Sequence, residues 1–236
     1  MSGWQVKRFW TNATVVPVDG GFRVALDKRF VATPAKTALV LPTERMAQAV
    51  AAEWNAQEKR IAPETMPVTR SANAAIDKVG PQFEEVADLI AAYGASDLLC
   101  YRAPHPEVLA ERQALAWDPM LDWAHATYGV RLETGAGVTP IAQPESALAR
   151  LSQEVRRFTS FELVALHDLV GLSGSLILGL GAAKGAEAPE KIWKISRIDE
   201  DWQAEIWGQD DEAAQSAANK RAEFLHAIRF LALCKA

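Results

Sequence analysis

The segment GLSGSLILGLGAAKG, from Gly171 to Gly185, holds five glycines among leucines and small residues. It does not match a dinucleotide-binding fingerprint, because Gly179-Leu180-Gly181 lacks the third glycine and follows a helical pattern instead of a strand. It does not match a P-loop, because neither Ser nor Thr follows Lys184. Its uncharged run, Leu169–Ala183, has 15 residues, fewer than the roughly 20 that cross a bilayer.

The same segment favours a buried helix. A T-x-x-E capping box that begins at Thr159 predicts one helix over Phe161–Ala183. Gly171, Ser175 and Gly179 recur every four residues, so one stripe of that helix carries almost no side chain and lets a neighbouring helix approach. Because each interior glycine costs up to about 1 kcal/mol of helix propensity, tight packing must offset the loss. We therefore predict the central, buried helix of a helical domain.

The N-terminal part of the chain predicts a small sheet. Residues 4–41 contain short β-branched runs separated by turn residues, which is typical of hairpins or a meander. The predicted strands are Thr14–Val18, Phe22–Leu26, Phe30–Pro34 and Thr37–Pro42. Pro17 indicates an edge strand or a bulge, because proline donates no ladder hydrogen bond. Thr43 is the predicted N-cap of a helix over residues 44–60, the one helix of this part.

The pattern becomes helical after Pro63. The predicted helices are Ser71–Val79, Gln82–Tyr93, Pro106–Tyr128, Glu145–Phe158, Phe161–Ala183, Pro189–Trp207 and Asp211–Leu233. The predicted fold class is α+β. A small β-rich N-terminal domain, residues 1–62, precedes a larger all-α domain, residues 63–236.

The charge and the cysteines narrow the function classes. A net charge of −5 over 236 residues argues against a nucleic-acid binder held by phosphate contacts. Cys100 and Cys234 lie far apart without a CxxC, which favours a reducing compartment. The first ten residues lack both an apolar leader and an arginine-rich one. We therefore expect a cytoplasmic bacterial protein that is not inserted into a membrane, and we expect a monomer.

One dipeptide leaves an enzymatic alternative open. His167-Asp168 is similar to the central pair of metal-dependent phosphohydrolases, which need further His and Asp ligands. The other histidines are His105, His125 and His226, and they supply neither H-x-x-x-H nor H-E-x-x-H spacing. A metal-dependent hydrolase that uses this pair is the alternative function.

The segment IDEDWQAEIWGQDDE, from Ile198 to Glu212, combines acid with tryptophan. It holds seven acidic residues and no basic residue, with Trp202 and Trp207 between the acids. Acids at the start of the last helix complement the helix dipole, and a solvated acidic face is common. Acid interleaved with tryptophan also suits a protein-docking surface. Both interpretations stay open on composition.

Several stretches together resemble the ATP12 (ATP-twelve) family, assembly chaperones for the alpha subunit of the ATP synthase catalytic sector. They carry the strings E-W-x-x-Q, D-L-L-C-Y-R-A and W-D-P-x-L-x-W, and they lie within residues 41–77, 97–124 and 196–214. The resemblance spans nearly the whole chain. It implies an N-terminal α+β domain followed by a helical domain, in a protein that is not an enzyme and requires no cofactor.

The resemblance also implies a partner and a site. Family members hold the free alpha subunit until a beta subunit displaces them. The acidic, tryptophan-containing motif of the family is matched by Asp201, Trp202, Glu205, Trp207 and Gly208. We expect the first four of these to bind the partner. Trp54, in E-W-x-x-Q, is expected to attach the first helix to the sheet.

Overall fold

The structure is a computed structural model that describes residues 7–208 and 210–235. Residues 1–6, 209 and 236 lie outside this description, and with them the first part of the range predicted to hold strands. The strands are β1 (Ala13–Val18), β2 (Gly21–Leu26), β3 (Arg29–Phe30), β4 (Tyr101–Arg102) and β5 (Gly135–Ala136). The α-helices are α1 (Glu44–Asn55), α2 (Pro67–Ala74), α3 (Phe83–Ala91), α4 (Glu107–Tyr128), α5 (Glu145–Val155), α6 (Ser160–Ser173), α7 (Leu176–Lys184), α8 (Pro189–Ser196), α9 (Ile198–Trp207) and α10 (Asp211–Leu233).

The predicted α+β class is confirmed, since a small antiparallel sheet precedes a mostly helical region. By contacts the chain divides into two compact units. The first comprises Met1–Phe83, Ser160–Val164 and Arg229–Ala236, and the second Glu84–Thr159 and Ala165–Ile228. The divisions by contact therefore fall inside α6 and α10 and close to the start of α3. The predicted division into domains 1–62 and 63–236 stays a prediction, because contact units do not show which part of the chain folds on its own.

The first unit contains a three-stranded sheet in the order β1-β2-β3. β1 pairs with β2 along its whole length, from Ala13 opposite Leu26 to Val18 opposite Gly21. Pro17 lies in β1, an edge strand of this sheet, where a missing amide hydrogen leaves no ladder bond unmade. The edge position predicted from Pro17 is therefore confirmed.

The third and fourth predicted strands, Phe30–Pro34 and Thr37–Pro42, are wrong in extent. After β3 the chain turns back at Lys36, which has a left-handed φ of 67° and donates its amide to the Thr33 carbonyl at 2.9 Å. This turn leaves isolated bridges, Ala32 to Ala38 and Phe22 to Leu41, in place of a ladder.

The helix α1 is anchored to the sheet by its polar residues. Thr43 is its N-cap and accepts the Met46 amide at 3.1 Å, as predicted. The helix ends at Asn55 and not at residue 60, because the Asn55 side chain turns to the edge strand. Its Oδ1 accepts the Ala13 amide at 2.7 Å and its Nδ2 donates to the Ala13 carbonyl at 2.9 Å. Trp54 lies edge-on to Trp10, with ring centroids 5.2 Å apart.

The predicted helix over Phe161–Ala183 is wrong, because the segment forms two helices. α6 ends at Ser173, Gly174 takes a left-handed φ of 70°, and α7 begins after Ser175. Ser175 is the N-cap of α7 and accepts the Leu178 amide at 3.0 Å. The predicted stripe of Gly171, Ser175 and Gly179 therefore does not exist on a single helix.

The prediction of close packing holds at a different pair of residues. A Cβ on Gly179 would lie 2.4 Å from Val170 Cγ2 and 3.2 Å from the Val170 amide nitrogen, so α6 and α7 touch at this point. A Cβ on Gly181 would lie 2.6 Å from the Met120 methyl carbon of α4. Every residue of α7 from Leu176 to Ala183 is buried, and the helix is the core of the second unit.

A buried carboxylate satisfies the start of α7. Asp97 is fully buried, and its oxygens accept the Ile177 and Leu99 amides, each at 3.0 Å. Ser175 and Leu176 are also hydrogen-bonded to it. Burial raises the pKa of Asp97 to about 6, and these hydrogen bonds oppose that rise. The first amides of a helix have no partner within the helix, so a side chain must supply one here.

Gly179→Ala is expected to lower the free energy of unfolding by about 1–3 kcal/mol, because the new methyl overlaps Val170. Gly171→Ala is the matched control, since a Cβ there meets no atom within 4 Å. It should raise the same quantity by about 0.5–1 kcal/mol, because alanine loses less backbone entropy in a helix. Urea unfolding of both variants measures the two changes. If both variants changed the free energy of unfolding by the same amount in the same direction, the close contact between Gly179 and Val170 would be contradicted.

Asp97→Asn is expected to lower the free energy of unfolding by about 1–3 kcal/mol, because one amide oxygen replaces two acceptors. The pKa of Asp97 rises on folding, so its protonation contributes stability at low pH that is lost as the pH rises through about 6. The gap between wild type and variant should therefore widen by about 1 kcal/mol from pH 7 to pH 5. Denaturant titrations at both pH values measure it. A gap that narrows would show that the amides lower the pKa instead.

Candidate functional site

The acidic, tryptophan-containing segment forms the separate helix α9. The predicted helix over Pro189–Trp207 is wrong as a single element, because α8 and α9 meet at Arg197, whose φ and ψ are −109° and 9°. The Trp117 indole donates to the Ile195 carbonyl at 2.9 Å. In a continuous helix that carbonyl would accept the Asp199 amide, so the indole replaces the helical donor.

The start of α9 is held in place, and its end is exposed. Three acids in the first turn complement the helix dipole, and one of them, Asp199, accepts from the buried Gln113 side chain at 2.6 Å. Ile198 is buried. At the other end Ile206 is 57% exposed and Trp207 is 85% exposed. An indole this exposed gains almost nothing from the fold, so it is available to a partner.

Glu205 forms an ion pair with α4. The Arg112 guanidinium donates to the two Glu205 oxygens at 2.8 and 2.9 Å, a bidentate geometry. Hydrogen bonding to Arg112 lowers the pKa of Glu205, and the same contact raises the pKa of Arg112. Both side chains are partly exposed to solvent. The pair therefore fixes the side of α9 that faces α4 while leaving the carboxylate accessible.

The four residues predicted to bind a partner do not form one cluster. Asp201 and Trp207 line an open groove of about 380 Å³ between α9 and the start of α10. The lining also includes four alanines, the acids Glu200 and Asp210, and Arg197, which is paired with Glu200. Glu205 is turned to Arg112 instead, and Trp202 is half-buried. The arrangement presents exposed apolar area beside carboxylates, which suits a cationic and apolar partner.

Sequence reasoning missed the residues of α4 that adjoin this helix. Arg112 pairs with Glu205 across 93 positions of sequence, and a lone arginine in a long amphipathic helix carries no signal of that pairing. Val108 and Leu115 of α4 are large, apolar and exposed. Their spacing of seven residues places them on one helix face, but the same spacing usually indicates a buried face.

The His167-Asp168 pair is a contact of two residues on α6. His167 Nδ1 lies 3.1 Å from Asp168 Oδ1, and this contact raises the pKa of His167. Both side chains are about half exposed. Over residues 7–208 and 210–235, no group of three or more His, Cys, Asp or Glu side chains could hold a metal ion. Cys100 and Cys234 are free thiols, and burial raises the pKa of each to about 12.

The model of the ATP12 chaperone protein family matches residues 7–125. The crystal structure of Atp12 from Paracoccus denitrificans is 45% identical over 99% of this chain and 100% of that chain, with a TM-score of 0.96. A mutant of the same protein, in which lysine replaces an aspartate, gives the same values. The mitochondrial protein atp12 of Schizosaccharomyces pombe is 23% identical over 219 residues, which are 88% of this chain and 75% of that protein.

The chain belongs to the ATP12 chaperone family. The resemblance noted from the sequence is thereby confirmed, and with it a place among the chaperones of ATP synthase assembly. Relatives of this family are named as chaperones and not as enzymes. None of the helices in the described ranges is both long and apolar enough to cross a membrane.

Two of the strings that carry the family resemblance meet in the second unit. Arg102, of D-L-L-C-Y-R-A, pairs with Asp118, of W-D-P-x-L-x-W, at 2.7 Å. Its guanidinium also stacks 5.2 Å from the ring centroid of the buried Trp117. Asp97, the first residue of the former string, is the buried carboxylate at the start of α7. These two strings therefore hold the scaffold that positions α4 and α9.

Incubation with EDTA followed by dialysis is expected to leave the thermal midpoint of unfolding unchanged, because two half-exposed side chains provide fewer ligands than a metal site needs. His167→Ala is the control and should show the same midpoint with and without chelator. Elemental analysis that finds one divalent ion per chain, lost in this variant, would restore the hydrolase interpretation.

Proposed function

We propose that the protein is a non-enzymatic assembly chaperone that binds the free alpha subunit of the ATP synthase catalytic sector and hands it to the beta subunit. We further propose that it acts as a monomer in the bacterial cytoplasm, without a cofactor. Membership in the ATP12 family supports an assembly role. The observation that most directly supports a client-binding site is the exposed end of α9. There Trp207 is 85% exposed and Ile206 is 57% exposed, beside carboxylates.

An exposed tryptophan with an acidic rim has the composition of a transient interface. The indole supplies apolar area that a partner can desolvate, and carboxylates orient the partner through its cationic groups. In this proposal Trp207 and Asp201 contact the client along the α9–α10 groove, and Trp202 supports them from its half-buried position.

Glu205 has a distinct role in this proposal. In the free chaperone its charge is satisfied by Arg112. A cationic group of the client competes with that guanidinium, so client binding replaces one ion pair by another and leaves a small net gain. A small gain suits a chaperone, because the client must leave again.

Glu205→Lys is expected to weaken capture of the alpha subunit, because it removes the carboxylate and places a second cation beside Arg112. Helical content should stay the same, since Glu205 is exposed. The measurement is co-purification of alpha against beta subunit from native lysate, with circular dichroism of the purified variant. Capture of beta in preference to alpha would contradict the proposed client.

The double variant Arg112→Glu with Glu205→Arg is the matched control. It keeps an ion pair between α4 and α9 but inverts its sign, so it separates two roles of Glu205. If the carboxylate contacts the client, the double variant captures as weakly as Glu205→Lys. If capture returns to the level of the wild type, Glu205 only holds α9 in place, and its assignment to the client surface fails.

A further inference from the structure

The outer face of α4 exposes large apolar side chains that the fold does not use. Leu115 is 81% exposed and Val108 is 60% exposed. They lie seven residues apart, so they share one face of the helix, and Glu111 lies between them on that face. The neighbouring position Arg112 carries the ion pair to α9.

Leu115 borders an open groove of about 540 Å³ along α4. The groove is lined by Glu111, Ala114, Leu115, Asp118, Pro119 and Asp122. Pro119 lies inside the helix and has no amide hydrogen, so the Leu115 carbonyl lacks its usual donor four residues later. The groove therefore offers an exposed leucine and acidic side chains within a short length of helix.

All the ionisable side chains that line this groove are acidic. Asp118 is paired with Arg102 at 2.7 Å, and Asp122 with Arg131 at 3.0 Å. Within the described parts of the chain, Glu111 has no ion-pair partner. A segment that pairs an apolar side chain with a cation fits this combination, since the cation meets the free carboxylate of Glu111.

This face of α4 adjoins α9, because Arg112 of α4 pairs with Glu205 of α9. Val108, Leu115, Ile206 and Trp207 are four of the eight large apolar residues that the described chain exposes. The Arg112–Glu205 ion pair connects α4 to α9. We call these four residues and the ion pair the α4–α9 surface.

We propose that the client-binding surface extends from α9 onto α4, and that the groove beside Leu115 takes an apolar side chain flanked by a cationic one from the alpha subunit. This inference rests on the proposed function. A second copy of the chain is a poor occupant, because a two-fold contact would bring Glu111 and its acidic neighbours against the same residues. An anionic membrane surface meets the same repulsion.

Leu115→Asp is the test. Leu89→Asp on α3 is the matched control, because Leu89 is also an exposed leucine, at 57%, and the substitution is chemically the same. The probe is the purified alpha subunit, titrated against each variant by calorimetry or fluorescence. Leu115→Asp is expected to weaken binding by at least about tenfold, as removal of an interface anchor does, and Leu89→Asp is expected to bind as the wild type does. Leu115→Ser repeats the test without a new charge, and circular dichroism monitors folding.

Equal binding by the wild type and both Leu115 variants overturns the inference. So does a light-scattering result in which the wild type is a dimer and Leu115→Asp is a monomer, because that result assigns the face to a second copy. Trp207→Ala separates this failure from failure of the proposed function. If Trp207→Ala weakens binding while Leu115→Asp does not, only the extension to α4 fails. If the wild type does not bind the alpha subunit, both the proposed function and its extension to α4 are contradicted.

Discussion

The contact on which the second unit depends is the buried carboxylate of Asp97 at the start of α7. α7 is buried from Leu176 to Ala183, so its first amides are shielded from solvent. Asp97 and Ser175 accept the amides of Ile177 and Leu178 instead. A buried charge is stable only where donors surround it, and the donors at the start of α7 are available only because the chain breaks at Gly174. The break, the acid and the buried helix are therefore one feature.

The strings that make the family recognisable share this role of satisfying buried backbone. In E-W-x-x-Q, the Glu53 carboxylate accepts the Val68 and Thr69 amides at 2.7 and 2.8 Å, at the start of α2. The buried Gln57 side chain accepts the Ala62 amide at 2.7 Å in the same unit. Polar groups inside a fold tolerate few substitutions because an unmatched partner is costly. The residues that carry the resemblance therefore belong mainly to the scaffold. They bear on the surface of α9 and α4 only because the scaffold positions these two helices.

The limits of prediction follow from the range over which each contact acts. Sustained periodicity predicted α10 at its observed ends and α4 within one residue, because a face repeated over many turns is a local signal. The break at Gly174 escaped prediction because a glycine within a helical pattern can be either a tolerated interior residue or a left-handed turn. What decides between them is Asp97, 80 positions from Ile177. The break at Arg197 carries neither Gly nor Pro, and it follows from the Trp117 indole that binds the Ile195 carbonyl.

The candidate site follows the same rule. The acids and tryptophans of α9 stand together in the sequence, so composition pointed to them, whereas Arg112 and Leu115 join them only through the fold. That fold also bears on affinity. In the proposed complex, a client cation gains only the difference between two similar ion pairs, because Glu205 already has a bidentate partner. Apolar area at Trp207 and on α4 is then the proposed source of the remaining affinity. In the proposed complex, so small a net gain from the ion pair lets a later neighbour of the client displace the chaperone.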